Sequence, residues 1–296
     1  MTVLTPAEMQ AIYTNLQPFQ IRAQEIIHRH VEGLDKSSKL NEAYAYALTN
    51  GGKRFRPAAV FMLADALGGK YDVSQAALAI ELCHTASLIA DDLPMMDDDN
   101  ERRSKPSLHK AYDEPTALLV SYAMIADAYA AISANARVLE LAGNPLSAQI
   151  GLVGVESASY NTGLQGASGG QYLDLFPPQL SESILREIIH KKTVVLFEVA
   201  FVLGWIFGGG DLNSLDKVKK TASHFGTAFQ IADDLDDLQQ DAYNQHSVNY
   251  AAFCGEIKAR EVFHAEIEGY YKTLKELRID SPALRDLAQL LLQLAG

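Results

Sequence analysis

HTASLIADDLPMMDDD, from His84 to Asp99, is the stretch on which the reading of this chain turns. Residues 86–90 are small or apolar, as in a helix entering a protein interior, yet the run passes directly into Asp91 and Asp92. Buried carboxylates are costly unless they are paired or hold a cation. Pro94 has no N–H and clashes with the carbonyl four residues back, so the helix is predicted to stop near Leu93. Asp97 and Asp98 then fall on a loop that can fold back towards Asp91. His84, seven residues or about two turns before Asp91, shares roughly its face and reads either as a core residue or as a ligand.

FQIADDLDD, from Phe229 to Asp237, repeats the pattern. Asp233 and Asp237 stand four apart and share a helix face, with Asp234 about 100° round. Like charges at that spacing destabilise a bare helix. Either cluster alone also reads as a solvated acidic face. Two of them, each following an apolar stretch, are best explained by hard cations between them. Oxygen-only ligands without neighbouring Cys or His point to Mg²⁺. The two aspartate helices are therefore expected to face each other across a cavity.

Around these clusters helical patterns follow one another with no alternating strand of useful length, so the chain is read as all-α. Helices are predicted over 6–32, 39–49, 57–67, 74–93, 114–141, 145–168, 181–207, 211–240, 251–277 and 281–294. Asn50-Gly51-Gly52, Pro57 and Pro177-Pro178 punctuate them. No linker interrupts the 296 residues, which read as one domain, 1–296, with 48% hydrophobic residues to build a core. Such helices pack as a bundle whose interior can host a ligand site.

Three short cationic groups stand apart from the acidic ones. Lys53, Arg54 and Arg56 sit at a predicted helix start, where free N–H groups and the dipole favour an anion; a solvated turn is the plainer reading. Arg102 and Arg103 follow the first acidic run and, taken alone, would pair with Asp98 or Glu101 at the surface. Lys191-Lys192-Thr193 opens the most apolar helix, a place for two cations only if one points into the cavity. Gln171 and Asp174, after the glycines of 166–170, read as supporting residues. Two carboxylate clusters and separate cations describe a site for two diphosphates, one held through Mg²⁺, the other directly by Lys and Arg.

Composition excludes other classes. A net charge of −12 without a basic stripe argues against nucleic acid. The longest apolar run, 194–207, is broken by Glu198 and too short to span a membrane, and the N-terminus has no signal-peptide pattern. Cys83 and Cys254, both among apolar neighbours, read as buried, reduced thiols of a cytoplasmic protein.

Five motifs in order, GGKRFRP (51–57), HTASLIADDLPMMDDDNERR (84–103), GGQYLDL (169–175), HKKT (190–193) and FQIADDLDD (229–237), resemble the trans-isoprenyl diphosphate synthases over nearly the whole chain. That family includes farnesyl and geranylgeranyl diphosphate synthases. The resemblance implies a bundle of mostly antiparallel helices around a deep central cavity, commonly a homodimer. It implies that Asp91, Asp92, Asp97, Asp233, Asp234 and Asp237 hold Mg²⁺. Arg102, Lys192, Thr193 and Gln230 would contact an allylic diphosphate, and Lys53, Arg56, His84 and Arg103 isopentenyl diphosphate. Ala86 and Ser87, one turn or slightly more before Asp91, would border the growing chain. In the family an aromatic at the position of Ala86 commonly stops growth at fifteen carbons, so Ala86 implies the twenty-carbon product, with Tyr122 or Met124 as other candidates for a floor.

The sequence departs from the family pattern at Ala90, where a histidine is common, at Ser104, where a glycine is usual, and at Tyr122, where an aspartate is frequent. The segment 239–250 contains no Lys or Arg, only His246 in the place of a usual lysine. The alternatives are farnesyl diphosphate synthesis, a terpene cyclase, which generally lacks the second set of cations, and a non-catalytic modulatory subunit.

Overall fold

The structure, a computed structural model, describes residues 5–238 and 248–295; His246 lies outside them. It is an all-α bundle of mostly antiparallel helices, with one two-stranded ribbon pairing Glu101–Arg102 with Lys105–Pro106. The order begins α1 (Pro6–Glu32), α2 (Lys39–Thr49), α3 (Phe55–Ala66), α4 (Ser74–Asp91), α5 (Leu108–Ala111), α6 (Glu114–Leu141), α7 (Ser147–Thr162) and α8 (Ala167–Leu175). After α9 (Glu182–Ile189) a π-helical turn (His190–Val194) leads into α10 (Val195–Gly208) and α11 (Leu215–Asp236). The short α12 (Tyr250–Cys254), α13 (Glu256–Glu276) and α14 (Pro282–Leu294) complete the described elements.

The differences from the sequence reading have local causes. The span 145–168 breaks at Gly163, and 251–277 at Gly255, whose φ of 87° only glycine adopts without strain. Of the glycines of 166–170, Gly169 and Gly170 lie inside α8, and Gly170 is buried. The span 181–207 is one rod carrying the π turn.

The core is built on α10, in which every residue but Glu198 is buried. Gly204 and Gly208 bring it against α3: a Cβ on Gly204 would lie 2.9 Å from the Val60 carbonyl oxygen, and one on Gly208 2.8 Å from the Ala64 Cα. Phe197, Phe201, Phe225 and Phe229 interlock α10 with α11, Phe197 meeting Phe225 edge-on at 4.9 Å. α6 packs along α4, and the Ser121 hydroxyl donates to the Ala86 carbonyl at 3.0 Å.

α6 is the one described helix long and apolar enough to cross a membrane by length and composition, which counting unbroken runs did not detect. Asp127, midway along it, accepts from the Tyr44 hydroxyl at 2.9 Å. Its outer face leaves Leu119 and Tyr122 exposed. Of the two thiols expected to be buried, Cys83 is, and Cys254 is half-exposed.

One buried side chain ties the first four helices. Arg54 stands at the start of α3 with φ 53°, 5% exposed, and its guanidinium pairs with Glu81 of α4, which is 1% exposed. It also donates to the Leu48 carbonyl of α2 at 2.8 Å and to Gln24 of α1 at 3.3 Å. Removing one partner of such a pair strands a buried charge, at a cost of about 3–5 kcal/mol, whereas replacing both with apolar groups is often neutral. Arg54→Met is therefore expected to lower denaturant stability by about that amount, and Arg54→Met with Glu81→Met to recover most of it, as read from urea unfolding of both variants.

Candidate functional site

α4 ends at Asp91, as Pro94 requires, and the chain turns back so that the Asp97 N–H donates to the Asp91 carbonyl at 2.9 Å. Asp91 opens onto a cavity of about 610 Å³. Burial, with Asp97 and Asp92 alongside, pushes the Asp91 carboxyl up to about 7 against the pull of Lys192 and Arg102. Asp92 is 3% exposed and accepts from the Arg102 Nε at 2.9 Å; Arg102 also pairs with Asp99 at 2.6 Å. Arg102 thus pairs inward with Asp92 rather than with the expected Asp98 or Glu101; Asp98 instead lies 3.9 Å from Lys110.

α8 and the π turn supply the opposite wall. Gln171 donates to Asp97 at 3.1 Å, and Lys192 pairs with Asp174 and lies 3.9 Å from Asp97. Burial works against the charge of Lys192, but Asp174, with Asp91 and Asp97, outweighs it and raises its pKa. Lys191 points away, to Glu187 at 2.7 Å, so one of the two lysines faces the cavity. The next residue reaches the second cluster: the Thr193 hydroxyl donates to Gln230 at 2.5 Å, one turn before Asp233. The π turn thereby bridges the two aspartate helices.

In that second cluster Asp233 and Asp237 are exposed and Asp234 is buried, as their helical spacing requires. Asp234 accepts from the Tyr250 N–H and from Gln230, both at 2.8 Å, which fixes α12 beneath the end of α11. Among the described residues no three carboxylate, His or Cys side chains converge on one point. A hard cation here would take one or two carboxylates and complete its shell with phosphate oxygens and water, the pattern of Mg²⁺. The donor chemistry fits: the groups are oxygens, and burial, with Asp97 and Asp92 alongside, disfavours a charge on Asp91 that a cation would stabilise.

The basic half gathers around Arg56 and His84. Arg56 donates to His84 Nε2 at 3.3 Å and stacks 4.3 Å from the Phe197 ring centroid. Burial lowers the Arg56 pKa to about 10; Glu81 opposes this, Arg103 adds to it and Asp233 opposes it. Burial, then Arg56, Arg103, Arg54 and Arg102, hold His84 well below its ordinary value, so the ring is neutral. With Nε2 accepting, Nδ1 carries the proton. That Nδ1 and the Arg56 Nε are buried without a hydrogen-bond partner among the described residues.

Arg103 joins this group through strain. It and Ser104 form the two-residue turn of the ribbon with φ 56° and 61°, the left-handed pair that a type I′ hairpin needs and that Asn-Gly or Gly usually supplies. The Arg103 guanidinium donates to the Gly51 carbonyl and lies so close over Gly52 that a Cβ there would sit 2.5 Å from its central carbon. Lys53 follows on that loop, its ammonium 5.9 Å from the Phe55 ring centroid. Donors and positive charge in excess of acceptors are what a multiply charged anion requires.

Behind Asp91 the cavity is apolar and runs past Ser87 and Ala86 to Cys83, eight residues or about 12 Å along the helix. Ile125 and Thr162 also line it. Tyr122 lines it as well; Met124 is fully buried elsewhere and does not. Sequence reasoning missed the deep wall of Cys83, Ile125 and Thr162, the anchoring role of Arg54, and Asp99. Glu81 carried a signal, as a lone acid in the apolar run 76–83. Nothing in the pattern tells which arginine of KRFR turns inward.

Comparison with known proteins is consistent with this geometry. The family profile described as polyprenyl synthetase matches residues 37–248. A farnesyl diphosphate synthase of Geobacillus stearothermophilus is 31% identical over 278 residues, 89% of this chain and 91% of that protein. The large subunit 2 of a heterodimeric geranylgeranyl pyrophosphate synthase of Arabidopsis thaliana is 34% identical over 74% of this chain, which spans 58% of that protein. A crystal structure of a geranyltransferase from Legionella pneumophila superposes with a TM-score of 0.82 at 28% identity, covering 96% of this chain and 97% of that one.

The Asp91 shift has a sign that can be tested. Its folded pKa of about 7 lies above the unfolded value, so the metal-free fold favours the protonated form and loses stability as pH rises from about 4 through about 7. Asp91→Asn is expected to raise the melting temperature of EDTA-treated protein by a few degrees at pH 8 and to have little effect near pH 4, by calorimetry at both.

Proposed function

The chain belongs to the polyprenyl synthetase family, and on that premise we propose that it joins isopentenyl diphosphate to an allylic diphosphate, favouring geranylgeranyl over farnesyl diphosphate as product. It is an enzyme, a short-chain trans-prenyltransferase. The observation that carries the reading is the contrast between two groups of side chains. In one, carboxylates and Lys192 stand at the mouth of an apolar cavity; the other is a cluster of buried cations and a neutral histidine with unmet donors. Two polyanions, one with an apolar tail, match those two surfaces.

Asp91, Asp97 and Asp233 would hold Mg²⁺, with Asp92, Asp234 and Asp237 completing or orienting the set. When bound, the ion supplies Lewis-acid neutralisation of the departing diphosphate. Lys192, aimed by Asp174, and Arg102, aimed by Asp92, present positive charge to the same diphosphate, while Thr193 and Gln230 fix its orientation. The allylic C–O bond breaks, its electron pair leaving with the diphosphate. Lys53, Arg56, Arg103 and the His84 Nδ1–H hold isopentenyl diphosphate so that its double bond supplies the electron pair of the new C–C bond. A proton is then lost to the released diphosphate, and the double bond is restored. The cation cluster, which a terpene cyclase does not need, supports condensation over cyclisation.

Two further features belong to the proposal. The exposed apolar residues of α6 and α7, among them Leu119, Tyr122, Leu152 and Tyr160, support a homodimer formed through this face. The two unpaired thiols support a reducing, cytoplasmic setting.

Incubation of labelled isopentenyl diphosphate with each allylic primer and Mg²⁺ tests the reaction; no condensation with any primer would sink it. Lys53→Ala or Arg56→Ala is expected to raise the KM for isopentenyl diphosphate by about tenfold or more, and Lys192→Ala to act on the allylic substrate or on kcat. If all three weaken one substrate alike, the two-site partition is wrong. Product length rests on Ala86, which is 1% exposed and lines the cavity without blocking it. Ala86→Phe is expected to shift the main product from twenty to fifteen carbons by chromatography; an unchanged product from active enzyme would show that the tail runs elsewhere.

A further inference from the structure

The π turn at His190–Val194 and the absent side chain of Gly170 meet at one point. A Cβ on Gly170 would lie 2.7 Å from the Lys191 carbonyl carbon, 2.8 Å from the Lys191 Cβ and 2.8 Å from the Lys192 nitrogen. Two of these three atoms are backbone, so no rotamer change relieves the contact. The same turn of α8 carries Gln171, which donates to Asp97, and Asp174, which pairs with Lys192. α8 therefore touches the π turn at its backbone and at its working ammonium together.

The turn itself divides the labour of successive residues. In an α-helix neighbours point about 100° apart, and the wider i→i+5 ring of a π turn alters that rotation locally. Here Lys191 goes to Glu187 on its own helix, Lys192 to α8 and the first aspartate cluster, and Thr193 to Gln230 and the second. π turns are rare and cluster at functional sites. This one is clamped between two glycine contacts: on its far side a Cβ on Gly226 of α11 would lie 2.9 Å from the Val194 Cα.

We infer that Gly170 is a positioning residue: its bare Cα lets α8 seat against the π turn, and this seating aims Lys192 at the cavity mouth and Thr193 at the second cluster. This rests on the assignment of Lys192 to the allylic diphosphate, and it adds the cause of that lysine's placement. The contact is backbone to backbone, so a methyl group is enough to displace it. Asp174 would then face a misplaced partner, although no residue of the ion pair had changed.

The test is a double-mutant cycle with an independent structural readout. Gly170→Ala is expected to lower kcat by about 30-fold or more while the KM for isopentenyl diphosphate changes less than threefold. In a Lys192→Ala background the same change should cost less than threefold, because the group it misplaces is gone. Without substrate, acetylation of Lys192 by acetic anhydride, followed by mass spectrometry, should be at least fivefold faster in Gly170→Ala than in the unaltered chain, with Lys53 labelled at the same rate in both. Full additivity of the two changes, or unaltered labelling of Lys192, overturns the inference. Normal turnover in Lys192→Ala alone sinks instead the assignment of that lysine, and the labelling then decides the role of Gly170 by itself. Should Gly170→Ala not fold, deletion of Lys191 removes the extra residue of the π turn within a continuous helix. Faster acetylation of Lys192 in that variant supports the inference and unchanged acetylation overturns it.

Discussion

A single buried guanidinium fixes the geometry of this protein. Arg54 binds Glu81, the end of α2 and a side chain of α1 from a backbone position that arginine enters only at a cost. Its placement decides the rest. Two residues on, Arg56 is carried beneath Phe197 and against His84; three residues beyond Glu81, His84 is carried to meet it. The same α4 delivers Asp91 ten residues after Glu81. The two halves of the site are thus indexed on one ion pair, and the pair contributes through register more than through net stabilisation, as buried pairs of this kind often do.

The charge pattern around that frame is segregated. Burial, with Asp97 and Asp92 adding to it, drives Asp91 towards neutrality, and burial, with Arg56 and Arg103 adding to it, keeps His84 from taking up a proton. The acidic and basic groups meet at Arg102, which pairs with Asp92 and adds to the positive field at His84. Such an arrangement costs folding free energy and is returned when ions of opposite sign arrive.

Much of this was legible in the sequence, and the limits have physical reasons. The end of α4 followed from Pro94, which acts on its own preceding turn. The inward lysine of 191–192 followed from the apolarity of the helix it opens. α6 was read with the right ends because Asp113 caps it and its apolar period is unbroken. What stayed hidden depends on contacts between distant segments. The helical spacing turns Asp234 inward, but its partner, the Tyr250 N–H sixteen residues on, leaves no sign in DDLDD. The π turn leaves no mark in HKKTV, since it is set by α8 on one side and α11 on the other. Cys83, Ile125 and Thr162 become one wall only when α4, α6 and α7 meet.

The ribbon that joins the two halves has a consequence for how this region can vary. Arg102 reaches forward to Asp92 and Arg103 reaches back to Gly51, and the reversal is made entirely by a two-residue hairpin. Arg103 owes its direction to its left-handed place in the turn, so one residue gained or lost between Glu101 and Pro106 would shift it out of that place and redirect its guanidinium. Ser104 shows that the turn tolerates a poor residue in a left-handed position. It has no comparable tolerance for a change of length. Here the count of residues, more than their identity, is the heritable constraint, and insertions should be purged from this hairpin where substitutions survive.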